Sequence, residues 1–589
     1  MKPYKPGVLL GLVALSSAAL LGCPPIHTSS TSDPAPTPDP TLHIIIPKVN
    51  PKEVYTGQSV QKITFTNTKS TEDMTVTPVK GHSLFLIKIN SSPNPVTARN
   101  TGHGYPLEGA ASRAVGGFPQ GTLPLTTFKE SGRFVLGNQT ITRYDHPGAQ
   151  AFTRNPPPLE IKGPSPKESR SGSLSAPVFA AASLGDTKQF WVEDKEDKWV
   201  QIPAVLRATS IHSKVWVAEE QYSNTPYTKD NKLTQAQAQA IADKFDWIYQ
   251  YETPLFGYEY GGGIPNTDPS YGGVDGDPAV HILVYDIEYD YSSSQSSGVF
   301  GFFWAKDHYK QADLDSFQST LKTNQGELFY IDAFFADAYP EAIYSTLAHE
   351  FQHMIHFNTK SLQHKKSSET WYDEMLSLLA EDVIAPMIGV PVTNDHHPIA
   401  SRIPTFLDGY NATGLTQWLS GDEVLISYAN VYAFGAYLAR NYGGANLIKA
   451  IMENNTTNIQ SLNEALEASA QISFAQALGR YGEAFIYSSA HKGGNLSFDT
   501  TVTKRINDIA YTFTGFDLWT IPDTWQGYGP IPENHTGPLI WDGNYLFDMP
   551  GYSVIVQSLE EWQQVSADTV RIRFEKPSDP HIDLYLMIR

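Results

Sequence analysis

Apolar and polar positions follow different periods along this chain, and the periods divide it into blocks. Between 42 and about 155 the apolar residues come in short runs, Ile44-Ile45-Ile46, Lys62-Ile63-Thr64-Phe65 and Leu84-Phe85-Leu86-Ile87, punctuated by Gly, Pro and Asn. Such runs predict short strands, and a sandwich-like β module is the economical assembly. From about 186 the character changes. Gln189-Phe190-Trp191-Val192 and Lys198-Trp199-Val200-Gln201 flank a charged run at 193–197 and predict a hairpin. Ile241, Phe245 and Ile248 have helical spacing within 234–249. Strand-like runs follow at 280–285 and 328–331, then helices over 340–357 and 371–381, at 424–441 and near 474–488. Beyond about 495 the pattern returns to strands, at 553–556 and 583–586.

The fold class this predicts is multidomain α+β. A β-rich N-terminal domain with its linker occupies 42–177, a mixed central domain 186–494 and a β-rich C-terminal domain 495–589. The stretch 156–177 is of low complexity and reads as an exposed linker or a processing site.

Composition changes the picture at the amino terminus. Met1-Lys2-Pro3-Tyr4-Lys5 is followed by an apolar run at 8–21 and then Gly22-Cys23. A basic start, an apolar core too short for a comfortable span and a small residue before the cut describe a signal peptide, 1–22. Leu20-Leu21-Gly22-Cys23 resembles the lipobox of bacterial lipoproteins, which implies lipidation of Cys23; the bland reading is a plain signal peptide. The Pro-, Ser- and Thr-rich segment 23–41 then reads as a tether. These expectations place the folded part in the bacterial cell envelope, lipid-anchored to a membrane. Cys23 is the only cysteine, so neither an intramolecular disulfide nor a thiolate metal site is available. The net charge of −20 argues against nucleic acid as a partner, because no counterion release would favour it.

The chemistry is concentrated in His349-Glu350-Phe351-Gln352-His353. On a helix, Leu347, Phe351, Met354 and Ile355 share one face, and His349 and His353 lie one turn apart where two imidazoles can reach one zinc ion. Glu350 lies beside them as the base for a metal-bound water. A catalytic zinc takes a third protein ligand. No H-x-x-G-x-x-H continuation is present, which excludes the metzincin arrangement. The second helix supplies acids instead, Asp373, Glu374 and Glu381, with Glu374 and Glu381 seven apart on one face. Glu374 is the preferred ligand, with Asp373 and Glu381 as competitors, and Glu381 suits the role of orienting a ligand imidazole. His356 and His364 read as bystanders, and Asp275-Gly276-Asp277 as a turn rather than a calcium loop.

The histidine pair followed by a glutamate some twenty residues on resembles the gluzincin metallopeptidases. Ala348-His349-Glu350-Phe351-Gln352-His353-Met354-Ile355-His356-Phe357, with Asp373-Glu374-Met375 and Ala380-Glu381-Asp382, resembles the hyicolysin family of secreted bacterial endopeptidases, over roughly 186–444. The resemblance implies a thermolysin-like zincin domain, a zinc cofactor and protein or peptide substrates. The Gly-x-Met-Glu-Asn segment of aminopeptidase-type gluzincins is absent, which favours cutting within chains. Val431-Tyr432-Ala433-Phe434-Gly435 resembles the Tyr-x-x-Gly segment of those enzymes and makes Tyr432 the candidate oxyanion donor; a core tyrosine is the alternative. A different class of function also fits the outline, a surface adhesion lipoprotein whose β modules bind and whose zincin domain is ancillary.

Overall fold

Strand Leu84–Asn90, apolar at five of its seven positions, is buried throughout because both of its faces are covered. Leu84 and Leu86 enter a core shared with Met74, Ile572, Phe574 and Leu584, while Phe85, Ile87 and Ile89 pack against a helical body. The computed structural model that shows this describes residues 43–45, 54–56, 60–65, 68–108, 134–136, 139–144, 146–157, 159, 182–224, 230–265, 267–295, 297–410, 412–488, 496–522, 536–538, 540–542, 548–559 and 565–589. The signal peptide, Cys23 and the tether lie outside the described residues, as does most of the 156–177 linker.

Two five-stranded sheets surround that first core. One runs Val54–Thr56, His43–Ile45, Thr71–Thr77, Val570–Glu575, His103–Glu108; the other Trp541–Asp542, Ser553–Ser558, Leu84–Asn90, Ile582–Ile588, Val60–Lys62. Strands from near the two ends of the chain are thus intermixed within one module, where the sequence pattern suggested two separate domains at 42–177 and 495–589. Both neighbours of Leu84–Asn90 come from the C-terminal segment, in antiparallel register. Hydrophobic periodicity marks which face of a strand is buried but carries no information about its partner, so this pairing was not legible in it.

The central body supplies the helices. Strand β1 (Gln139–Tyr144) and helix α1 (Pro147–Arg154) precede the linker. After it come β2 (Thr187–Glu193), β3 (Trp199–Thr209), β4 (Ser213–Ala218), α2 (Gln235–Phe256), β5 (Val280–Tyr285), β6 (Ser297–Val299), β7 (Gly301–Phe303) and β8 (Leu328–Asp332). The main sheet has the order β7-β8-β5-β4-β3-β2. Its β4, β5 and β8 are parallel, whereas β7 is an antiparallel edge strand. Helices α3 (Pro340–His356), α4 (Thr370–Ile384), α5 (Val424–Asn441), α6 (Ala445–Glu453), α7 (Asn458–Ala470) and α8 (Phe474–Tyr487) follow. Thr234 caps α2 reciprocally with Gln237, and Pro340 opens α3 where no N–H is required. Phe245 of α2 and Phe351 of α3 meet edge to face, 4.9 Å between ring centres, under the sheet residue Phe329.

Two close approaches set the helices against their neighbours. A Cβ on Gly435 would lie 2.8 Å from the Met375 side chain, so α5 sits directly on α4. A Cβ on Gly482 would lie 2.5 Å from Ile87, so α8 sits directly on the sandwich. Among the described residues no helix is long and apolar enough to cross a membrane.

Candidate active site

The face of α3 opposite Phe351 is not solvent-facing, as an amphipathic helix in isolation would have it. It is covered by α4, so that His349, Glu350, His353 and Glu374 are all buried. The contact brings Nε2 of His349 to 3.2 Å and Nε2 of His353 to 3.6 Å from one oxygen, Oε2, of Glu374. All three donor atoms lie within 4.8 Å of one another.

The outward nitrogens are held from behind. Nδ1 of His349 is 2.7 Å from Oε1 of Glu381, whose other oxygen accepts from the Ser345 hydroxyl at 2.8 Å. Nδ1 of His353 lies 3.0 Å from Oγ of Ser377 and 3.1 Å from Oδ1 of Asp373. The Ser377 hydroxyl donates to the Gln352 side-chain carbonyl at 2.5 Å, so its oxygen is left to accept from His353. With a metal bound, these partners would keep the ring proton on Nδ1 and leave the Nε2 lone pair of each imidazole for the ion. Two imidazole nitrogens and one carboxylate oxygen, without thiolate, match the donor set of a catalytic zinc site. The residues fit the ion.

The acids sort themselves by position. Glu374 faces both inward nitrogens, whereas Asp373 and Glu381 stand behind the rings. Burial alone would push the Asp373 carboxyl up, but His356 and His353 beside it bring it below the usual range. Burial likewise opposes protonation of His353, yet Asp373 and Glu374 carry the balance upward. His356 binds Ser368 through Nε2 at 2.7 Å, and burial lowers its pKa to about 4. His364 caps the end of the wide helical turn that follows α3, outside the cluster. In the Asp275-Gly276-Asp277 turn, the Asp275 carboxylate accepts from the Asp277 amide at 2.9 Å and sits 2.9 Å from the His281 ring.

Tyr432 is placed differently from its expected role. It is fully buried within α5, where burial and the neighbouring Asp382 carboxylate hold its pKa well above the ordinary value. Asp382 itself makes a two-pronged pair with Arg440, at 2.8 and 3.1 Å. The hydroxyl at the level of Glu374 belongs to Tyr428, one turn earlier on the same helix. The Gln150 amide nitrogen of α1 bridges the two, 3.1 Å from the Tyr428 hydroxyl and 3.2 Å from Oε1 of Glu374. The sequence offers Tyr428 and Tyr432 on one helical stripe, and only the offset between α4 and α5 ranks them.

A cleft opens onto the cluster. Its walls include Phe302 and Phe303 of the edge strand, Glu350, His353, Asp373 and Glu374. Ala149, Gln150, Thr153 and Arg154 of α1 also line it.

Comparison with known proteins bears on what this cleft does. The sequence profile of the peptidase M30 family matches residues 203–497. The chain is also similar to the neutral metalloprotease ShpI of Staphylococcus hyicus. The two are 27% identical over 359 residues, covering 59% of this chain and 70% of that one.

Proposed function

The chain belongs to the peptidase M30 family, and on that premise we propose that it is a zinc-dependent endopeptidase acting on extracellular or host proteins. The observation that carries the reading is the convergence of His349, His353 and Glu374 on one point, with Glu350 on the wall of the same cleft. Bound there, zinc would polarise the scissile carbonyl and bring water toward ionisation at neutral pH. Glu350 accepts the proton of the attacking water and returns it to the leaving amine. Glu381, with Ser377 and Asp373, keeps the two imidazoles in the orientation that the ion needs. Tyr428 is the hydroxyl best placed to donate to the oxyanion, in preference to Tyr432. Phe302 and Phe303 favour an apolar substrate side chain beside the cut.

We read the mixed sheet with its antiparallel edge strand, α3 and α4 as a thermolysin-like zincin arrangement. The exported, lipid-anchored state through Cys23 belongs to the same proposal, and a Cys23→Ser chain that stays with the membrane fraction would refute it.

The direct test compares the zinc-loaded chain with its Glu350→Gln variant on an unfolded protein substrate. The variant is expected to keep one zinc per chain and lose about 10²–10⁴-fold in kcat. Equal, measurable cleavage by both sinks the mechanism.

A further inference from the structure

We propose that residues 139–157 form a built-in inhibitory arm that fills the substrate cleft, so that the chain is latent until the arm is displaced. The inference rests on the peptidase reading of the cleft.

The arm is docked along its length. Strand β1 pairs in parallel with β6, Thr142 to Tyr144 against Ser297 to Val299, immediately beside the edge strand β7. The His146 ring lies 3.2 Å from Glu193, and Ala149 is buried in the apolar cluster that contains Phe302 and Trp304. Phe152 meets Tyr309 edge to face, and the Tyr309 hydroxyl donates to the carbonyl of Pro157. On the other wall the Ser367 hydroxyl donates to the Arg154 carbonyl at 2.5 Å. Between these anchors Gln150 reaches the centre of the site and bridges Glu374 and Tyr428.

Three features make this an inhibitor and not a substrate. The segment nearest the cluster is helical, so its peptide groups are engaged in the helix and are not offered in an extended form to Glu350. What reaches the site is a side-chain amide. It donates to Oε1 of Glu374, while Oε2 is the oxygen facing the two histidines, so the arm can remain seated with the metal in place. Being part of the same chain, the arm competes at an effective concentration of order millimolar, so a contact of only ~10 μM intrinsic affinity would suppress about 99% of activity.

The test uses the full chain, the Ala149→Asp/Phe152→Asp double variant and the milder Gln150→Ala variant, all zinc-loaded. The readouts are peptide hydrolysis and affinity for a fluorescent zinc-directed hydroxamate probe. The double variant is expected to gain at least tenfold in both, and Gln150→Ala a few-fold, with thermal stability of the parent retained. A synthetic peptide of residues 139–157 should then inhibit the double variant by raising KM with kcat unchanged, and a scrambled peptide should not. Equal probe affinity in folded parent and both variants overturns the arm. A probe affinity that rises while no form hydrolyses peptide leaves the arm standing and refutes the peptidase reading instead.

Discussion

Replacing Glu381 by alanine takes away a carboxylate that touches no substrate and binds no metal, yet both of its oxygens are engaged. One faces Nδ1 of His349 at 2.7 Å, and the other accepts from Ser345 at 2.8 Å in a fully buried setting. Alanine leaves the imidazole free to rotate or change tautomer, and removes the charge that makes its Nε2 a better donor. Losses of this kind are typically about 10–100-fold in metal affinity, or about 1.4–2.7 kcal/mol. Stranding the His349 and Ser345 donors in the interior costs about 1–3 kcal/mol of stability besides. The two effects separate in Glu381→Gln, which retains an acceptor for His349 and loses the charge; it should weaken zinc by about tenfold and scarcely change the apo-protein. The assay is competition with a calibrated chelator, beside denaturant unfolding of the metal-free forms. Zinc affinities within twofold of the parent for both variants would refute the claim that Glu381 tunes the ligand, and would reduce it to a packing residue.

Tyr428→Phe should lower kcat by about 10–1000-fold with little change in KM, whereas Tyr432→Phe should keep kcat; the reverse ranking returns the oxyanion role to Tyr432. Breaking the buried Asp382–Arg440 pair with Arg440→Met should destabilise by about 3–5 kcal/mol in denaturant unfolding, because Asp382 is left charged in the interior; a change under 1 kcal/mol contradicts this. His308 is fully buried and burial holds its pKa down at about 3, so the unfolded chain takes up its proton first as the pH falls. Its contribution is intact above about pH 6.5 and is lost progressively toward pH 3, on the order of 5 kcal/mol in all. His308→Phe, among the rings of Phe303, Phe357 and Tyr260, should move the acid-unfolding midpoint to lower pH, and an unmoved midpoint would exclude His308 as a trigger.

The sequence by itself determined the local elements and the chemical vocabulary of the site. The spacing of His349 and His353 places them one turn apart on any helix, and Pro340 and Thr234 mark helix starts whatever surrounds them. These are short-range facts, set by 3.6 residues per turn and by which backbone groups a terminus leaves open. Helices α1 and α6, of 8 and 9 residues, escaped the pattern because so few turns do not stand out from the adjoining loops. Everything that required a partner was decided by tertiary structure. The sandwich assembles from segments nearly five hundred residues apart, and alternation says nothing about which strand lies alongside. The helix of the two histidines buries its polar face because α4 lies over it, and Gly435 sets how closely α5 approaches from the other side. That packing puts Glu374, rather than Asp373 or Glu381, before the inward nitrogens, and Tyr428, rather than Tyr432, level with it. The arm at 139–157 falls where the sequence reads as short strands running into a linker, and only the structure shows its helix and the contacts with Glu374, Tyr428 and β6 that give it a role. Residue type and spacing fix what a side chain can do; which groups converge depends on long-range packing, whose energy is spread over many contacts that no single stretch of sequence contains.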